Sequence, residues 1–156
     1  MVEDNKPKQT KRKQKMLVGS LEFCDLPELE ISKLNARIDT GAQTSSLHVD
    51  NIEEFEQDGE HWVRFDIHPD IHNVGTIVRR QAKLRGRRRV KSSNAQSEKR
   101  CVISTILEMG GRRWRIKLTL TDRREMTYLM LIGRQAMNGK VMVDPEYEYL
   151  LGHTTT

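Results

Sequence analysis

The sequence predicts an all-β domain, closed or sandwiched, on three observations: two runs of strict apolar alternation, glycine-bearing turn signals between short strands, and almost no helical periodicity. In Val63-Arg-Phe65-Asp-Ile67 and in Trp114-Arg-Ile116-Lys-Leu118-Thr-Leu120 every second residue is apolar and would face a core. Taken in order, the expected strands are Leu17 to Phe23, Leu34 to Ile38, Ser46 to Val49 and Ile52 to Phe55, followed by an Asp58-Gly59 turn into the Trp62 strand. Beyond these, Cys101 to Leu107 and the Trp114 strand flank Gly110-Gly111, a tight hairpin signal. Tyr128 to Ile132, Val141 to Val143 and Tyr147 to Leu151 complete the set. One short helix is expected, Arg134 to Met137, ended by Asn138-Gly139.

With 156 residues the chain is long enough for a single core without metal or disulfide staples. Cys24 and Cys101 fit no disulfide framework and suit a reducing compartment. Met1 to Lys15 lacks the apolar stretch of a signal peptide, so the expected location is cytoplasmic, with no membrane association. The 27 Lys plus Arg against 22 Asp plus Glu are unevenly spread. Residues 1–15 read as a disordered basic tail, because nothing in them can offset the entropy of ordering, and 16–152 as one domain. Residues 79–100 hold ten Lys/Arg and only Glu98. That strip suits an acidic partner, or simply a solvated loop; nucleic acid is disfavoured because no aromatic residue lies between Ile67 and Val102 to stack on a base.

The stretch Ala36-Arg-Ile-Asp39-Thr40-Gly41-Ala42-Gln43-Thr44-Ser45-Ser46-Leu47 carries the chemistry. A strand delivers an aspartate into a tight turn with a hydroxyl and a glycine beside it, and a second strand leaves at once. Alone, such a turn is also an ordinary Asp-initiated loop.

In context it resembles the retropepsin-like aspartic proteases, through Ile38, Asp39, Thr40, Gly41, Ala42 and Ser45, and through Met130-Leu131-Ile132-Gly133-Arg134-Gln135-Ala136-Met137 near the end of the domain. With Val90-Lys-Ser-Ser93 and Leu118 to Arg123, the chain is similar to a bacterial group known as ATP-dependent zinc proteases, often encoded near ATP-grasp glutamate ligases. The resemblance implies a closed six-stranded acid protease barrel with one short C-terminal helix. It implies a catalytic set of Asp39, Thr40 and Gly41, substrate contacts from Ala42, Arg89, Lys91, Ser92 and Ser93, and structural support from Ser45, Gly133 and Arg134. Carboxylate hydrolysis of an amide needs two aspartates sharing a proton, and no second Asp-Thr-Gly occurs, so the mechanism implies a homodimer. Gln43 stands where retroviral enzymes carry an acid that pairs with the Arg of the Gly-Arg motif, so that brace lacks its usual partner.

Zinc and ATP find no convincing site in the sequence. His68-Pro-Asp-Ile-His72 has i, i+4 spacing, but Pro69 disfavours the helix that would align the rings. Gly133 to Lys140 has the wrong spacing for a phosphate loop. No cofactor is expected. Asp122, Asp144, Glu108 and Glu125 read as structural carboxylates. The expected function is peptide-bond hydrolysis between two Asp39 carboxylates on a peptide or protein substrate, acidic or glutamate-rich, linked to an ATP-grasp ligase. The alternative is a non-catalytic β module that holds an acidic partner or RNA.

Overall fold

The computed structural model describes residues 14–69, 75–91, 96–122 and 128–152. Eleven strands form over these residues: β1 Met16–Val18, β2 Leu21–Leu26, β3 Ile31–Ile38, β4 Ser45–Gln57, β5 Glu60–Ile67, β6 Val78–Lys83, β7 Gly86–Lys91, β8 Ser97–Met109, β9 Arg112–Asp122, β10 Met130–Ile132 and β11 Val141–Val143. The helix α1, Arg134–Met137, falls where the sequence predicts it.

Pairing runs β10–β3–β2–β8–β9–β4, and β10 pairs again with β4, so these six strands close a hydrogen-bonded circuit. Their inward residues, among them Leu34, Leu47, Ile103, Leu118, Met130 and Ile132, are fully buried. Burying such side chains stabilises by roughly 1.5–3 kcal/mol each, which is what holds so many short strands together. Outside the circuit, β5 and β6 extend the outer half of β4 into an antiparallel wall, β7 pairs with β8, and β1 lies parallel to β11.

Both predicted hairpins form. Asp58 and Gly59 have φ of 53° and 77°, Gly110 and Gly111 of 58° and 78°, the left-handed geometry that matches strand twist. Other expectations need correction. Leu17 to Phe23 is two strands, because the chain turns at Gly19-Ser20, where Gly19 N–H donates to the buried Glu22 carboxylate and Ser20 N–H to the Tyr147 carbonyl. Ser46–Val49 and Ile52–Phe55 merge into one strand, β4, bent where Asn51 adopts φ of 53°. Tyr147 to Leu151 is not a strand. Its backbone N–H groups at Leu150 and Leu151 donate to Glu22, and the Tyr149 hydroxyl donates to Asn35 Oδ1. The basic segment, read as loop or rim, contains β6 and β7. Their alternation is written in arginine and lysine, whose stems cover apolar surface while their heads reach water.

Candidate active site

β10 lies between β3, to which it is parallel, and β4, to which it is antiparallel. The loop joining β3 to β4 must therefore cross the end of β10, and Asp39 to Thr44 is that loop. Backbone hydrogen bonds tie it down on both sides. Asp39 N–H donates to the Ile132 carbonyl at 2.9 Å, Arg134 N–H to the Ala42 carbonyl at 2.8 Å, and Gln135 N–H to the Gln43 carbonyl at 3.0 Å. Gly133 sits directly beneath the crossing. A Cβ there would lie 2.7 Å from the Thr44 carbonyl carbon and oxygen, so only glycine allows the approach. Its N–H donates to the buried Ser45 hydroxyl at 3.0 Å.

The Asp39 side chain is half-buried at the head of this loop, and its Oδ1 accepts the Gly41 N–H at 2.9 Å. A Cβ on Gly41 would stand 3.2 Å from that oxygen. Thr40 and Gly41 are exposed, and the Thr40 hydroxyl has no hydrogen-bond partner among the described residues. Arg134, without an acid at position 43, donates through Nη1 to the Thr40 carbonyl at 2.9 Å. The charged arm of the Gly-Arg motif thus braces the aspartate turn through its backbone. The arrangement presents one carboxylate, oriented by an amide, at the protein surface.

Ala42, Ser45, Gly133 and Arg134 all meet around this loop. Arg89 and Lys91 lie exposed on β7, Arg89 donating to the Ser97 hydroxyl across the hairpin, while Ser92 and Ser93 lie outside the described residues. Of the other carboxylates, Glu108 pairs with Arg113 at 2.5 Å, Asp144 accepts the Glu146 N–H, and Asp122 is exposed at the end of β9; Glu125 lies outside the described residues. His68 contacts Asp50 at 2.8 Å, and its expected companion His72 lies outside the described residues. Among the described residues no three His, Cys, Asp or Glu side chains gather as a metal-ligand set. Burial raises the Cys24 thiol well above its ordinary value, leaving it protonated. No described helix is long and apolar enough to cross a membrane.

Two cavities escape a reading of the sequence. One, of about 370 Å3, runs from Thr44 along β7 and β9 and is lined by Arg87, Arg88, Val102, Lys117 and Thr119. A neighbouring one, of about 710 Å3, lies between β6 and the β8–β9 face and is lined by Trp62, Lys83, Ser104 and Arg115 among others. Lys117 falls in an alternating strand, where the sequence marks it only as outward-facing.

The loop and its glycine support sit on an all-β frame whose six strands close a hydrogen-bonded circuit. The chain belongs to the RimB-like family, described as the retropepsin-like aspartic endopeptidase RimB, which it matches over residues 17–154. It is also similar to proteins named probable alpha-L-glutamate ligase, 46% identical over 138 residues in Shewanella pealeana and 43% identical over 141 residues in Desulfotalea psychrophila, covering 88% and 90% of this chain. The chain spans about 30% of the length of each of these curated relatives. A crystal structure of a Legionella pneumophila protein of unknown function is 28% identical, with a TM-score of 0.72 over 88% of this chain and 99% of that one.

Proposed function

We propose that the six-strand circuit is the barrel of an acid protease half and that the protein is an aspartic peptidase working as a homodimer. The observation that carries this reading is Asp39: one surface carboxylate, oriented by the Gly41 amide on a loop braced by Gly133, Ser45 and Arg134, beside an unpartnered Thr40 hydroxyl. One such carboxylate cannot both take and give a proton. Two copies across a two-fold axis supply the missing group, with the Thr40 hydroxyls available to lock the loops together.

In the dimer the ionised Asp39 takes a proton from water as its oxygen attacks the scissile carbonyl carbon. The neutral Asp39 of the second copy gives its proton to the carbonyl oxygen. Collapse of the tetrahedral diol breaks the C–N bond, and the leaving nitrogen collects a proton from the dyad. The substrates are acidic or glutamate-rich peptides. Two facts support this: the basic β7 strand begins beside the Thr44 end of the loop, and segments alike to this chain occur in proteins named as glutamate ligases, whose products carry added glutamate. The same fact supports a working link to such a ligase.

The test is cleavage of an acidic peptide library by wild type and Asp39→Asn across pH, with and without chelator, alongside sedimentation to read the oligomeric state. Cleavage lost in Asp39→Asn and indifferent to chelator is the expected result. No cleavage by wild type under any condition, with a monomer in solution, would replace the peptidase with a non-catalytic module for an acidic partner.

A further inference from the structure

The two cavities share Arg85 and Lys117, so they form one trough that starts at Thr44 and runs over the outer face of β8–β9. Its rim is held from both sides. Leu84 N–H donates to the His61 carbonyl and Arg85 N–H to the Val102 carbonyl, fixing the link between β6 and β7. Many cations around it are already neutralised: Arg87 by Glu54, Lys83 by Glu60 and Arg115 by a two-pronged bond to Glu28. Arg88 and Lys117 have no ion-pair partner among the described residues, and Arg85 has none at salt-bridge distance, only the longer-range attraction of Glu60. Two unpaired cations and a third only weakly countered, held in a walled trough, are unfavourable to one another and await anions.

The floor beneath them suits an extended anion. Arg115, Lys117 and Thr119 alternate along β9, about 7 Å apart, the repeat of every second side chain in an extended peptide. Nucleic acid fits less well. Trp62, the aromatic residue of the trough, stacks on Phe55 at 6.5 Å and has the Lys83 ammonium 5.9 Å from its ring, so its faces are taken.

We propose that this trough is an exosite, outside the cleavage centre, that binds an extended acidic peptide through Arg88, Lys117 and Arg85 in turn. From Thr119 to Arg115 the floor is about 13 Å long, room for about four to five extended residues. The trough therefore senses the length of an acidic chain and presents the end beyond Thr44 to the Asp39 loop. The direction of that presentation rests on the peptidase reading; the binding does not.

Binding is measured on full-length Asp39→Asn protein with end-capped oligoglutamates of two to eight residues, followed by tryptophan fluorescence. Affinity should rise at least about tenfold from two residues to five and then level off. Lys117→Glu and Arg88→Glu, both surface changes, should each weaken the hexamer about tenfold or more, with Lys117→Arg close to the parent. Unchanged affinity in both charge reversals, or no dependence on length, would overturn the exosite. So would tighter binding of an oligonucleotide of equal charge. Wild-type cleavage of the same series separates the two readings: length-dependent binding without cleavage sinks the peptidase alone, and cleavage with length-independent binding sinks the exosite alone.

Discussion

The Asp39 loop and the basic trough lie end to end, yet they are held by different forces. The loop is fixed by backbone hydrogen bonds to β10 and α1, by a buried serine hydroxyl and by a glycine that no other residue can replace. The trough is bounded by ion pairs at the surface, Arg87 with Glu54, Lys83 with Glu60 and Arg115 with Glu28. Surface pairs contribute roughly 0–1 kcal/mol each and weaken with salt, whereas a buried backbone donor left unmatched costs about 1–3 kcal/mol. Under the proposed readings, chemistry that needs sub-ångström placement would sit on the rigid element and recognition of a flexible charged chain on the adjustable one.

The sharpest way to break this contrast is Asp39→Asn. Peptide cleavage should fall at least about a thousandfold while the melting temperature stays within a few degrees of wild type, since the amide keeps the oxygen that accepts the Gly41 N–H. Gly133→Ala should cost about 2–3 kcal/mol in urea unfolding, because the new methyl meets Thr44 backbone and the loop must lift off β10. Ser45→Ala comes next, at about 1–2 kcal/mol, since it strands the Gly133 N–H; Ser45→Thr, which keeps a hydroxyl, should recover part of the loss.

Smaller effects sharpen the comparison on the trough side. His48 on β4 is held below its ordinary value, chiefly by burial, and Glu54, Glu60 and Asp66 lie below the usual carboxylate range, chiefly through hydrogen bonds from Arg87, Lys83 and Asn51 respectively. All four shifts have the same sign. The unfolded chain binds more protons, so stability is complete above the ordinary histidine value of about 6.5, falls first as His48 resists protonation, and falls again as the carboxylates protonate below about pH 4. Melting temperatures measured from pH 8 to pH 3 should decline in those two steps, and a variant lacking this one imidazole, His48→Gln, should lack the first. Glu54→Gln should lower stability by less than about 1 kcal/mol at low salt, and high salt should abolish the difference.

The sequence makes the loop legible because its constraints are local. An aspartate, a small hydroxyl residue and a glycine stand side by side, with Ser45 and Gly133 in recognisable settings. What Arg134 does without an acid at position 43 is not written there, because the Thr40 carbonyl that replaces the acid carries no side-chain signature. Glu22 is silent for a related reason. It reads as the polar residue of an alternating strand, but the backbone donors that bury it come from the Gly19 turn and from residues 150–151 at the other end of the chain. The trough is hidden because strands β6 and β7 alternate in charge rather than in hydrophobicity, and because Lys117 becomes significant only when β7, β8 and β9 come to line one cavity.

The parallel pairing of β1 with β11 joins Met16 to Val141 and Val18 to Val143. A chain emerging from the ribosome makes β1 long before its partner exists, so this strand waits, unpaired, through the synthesis of nearly every other element. Loop closure of that span is entropically slow, and contacts so distant in sequence form late. The seam between the first and last strands is therefore expected to close late in folding.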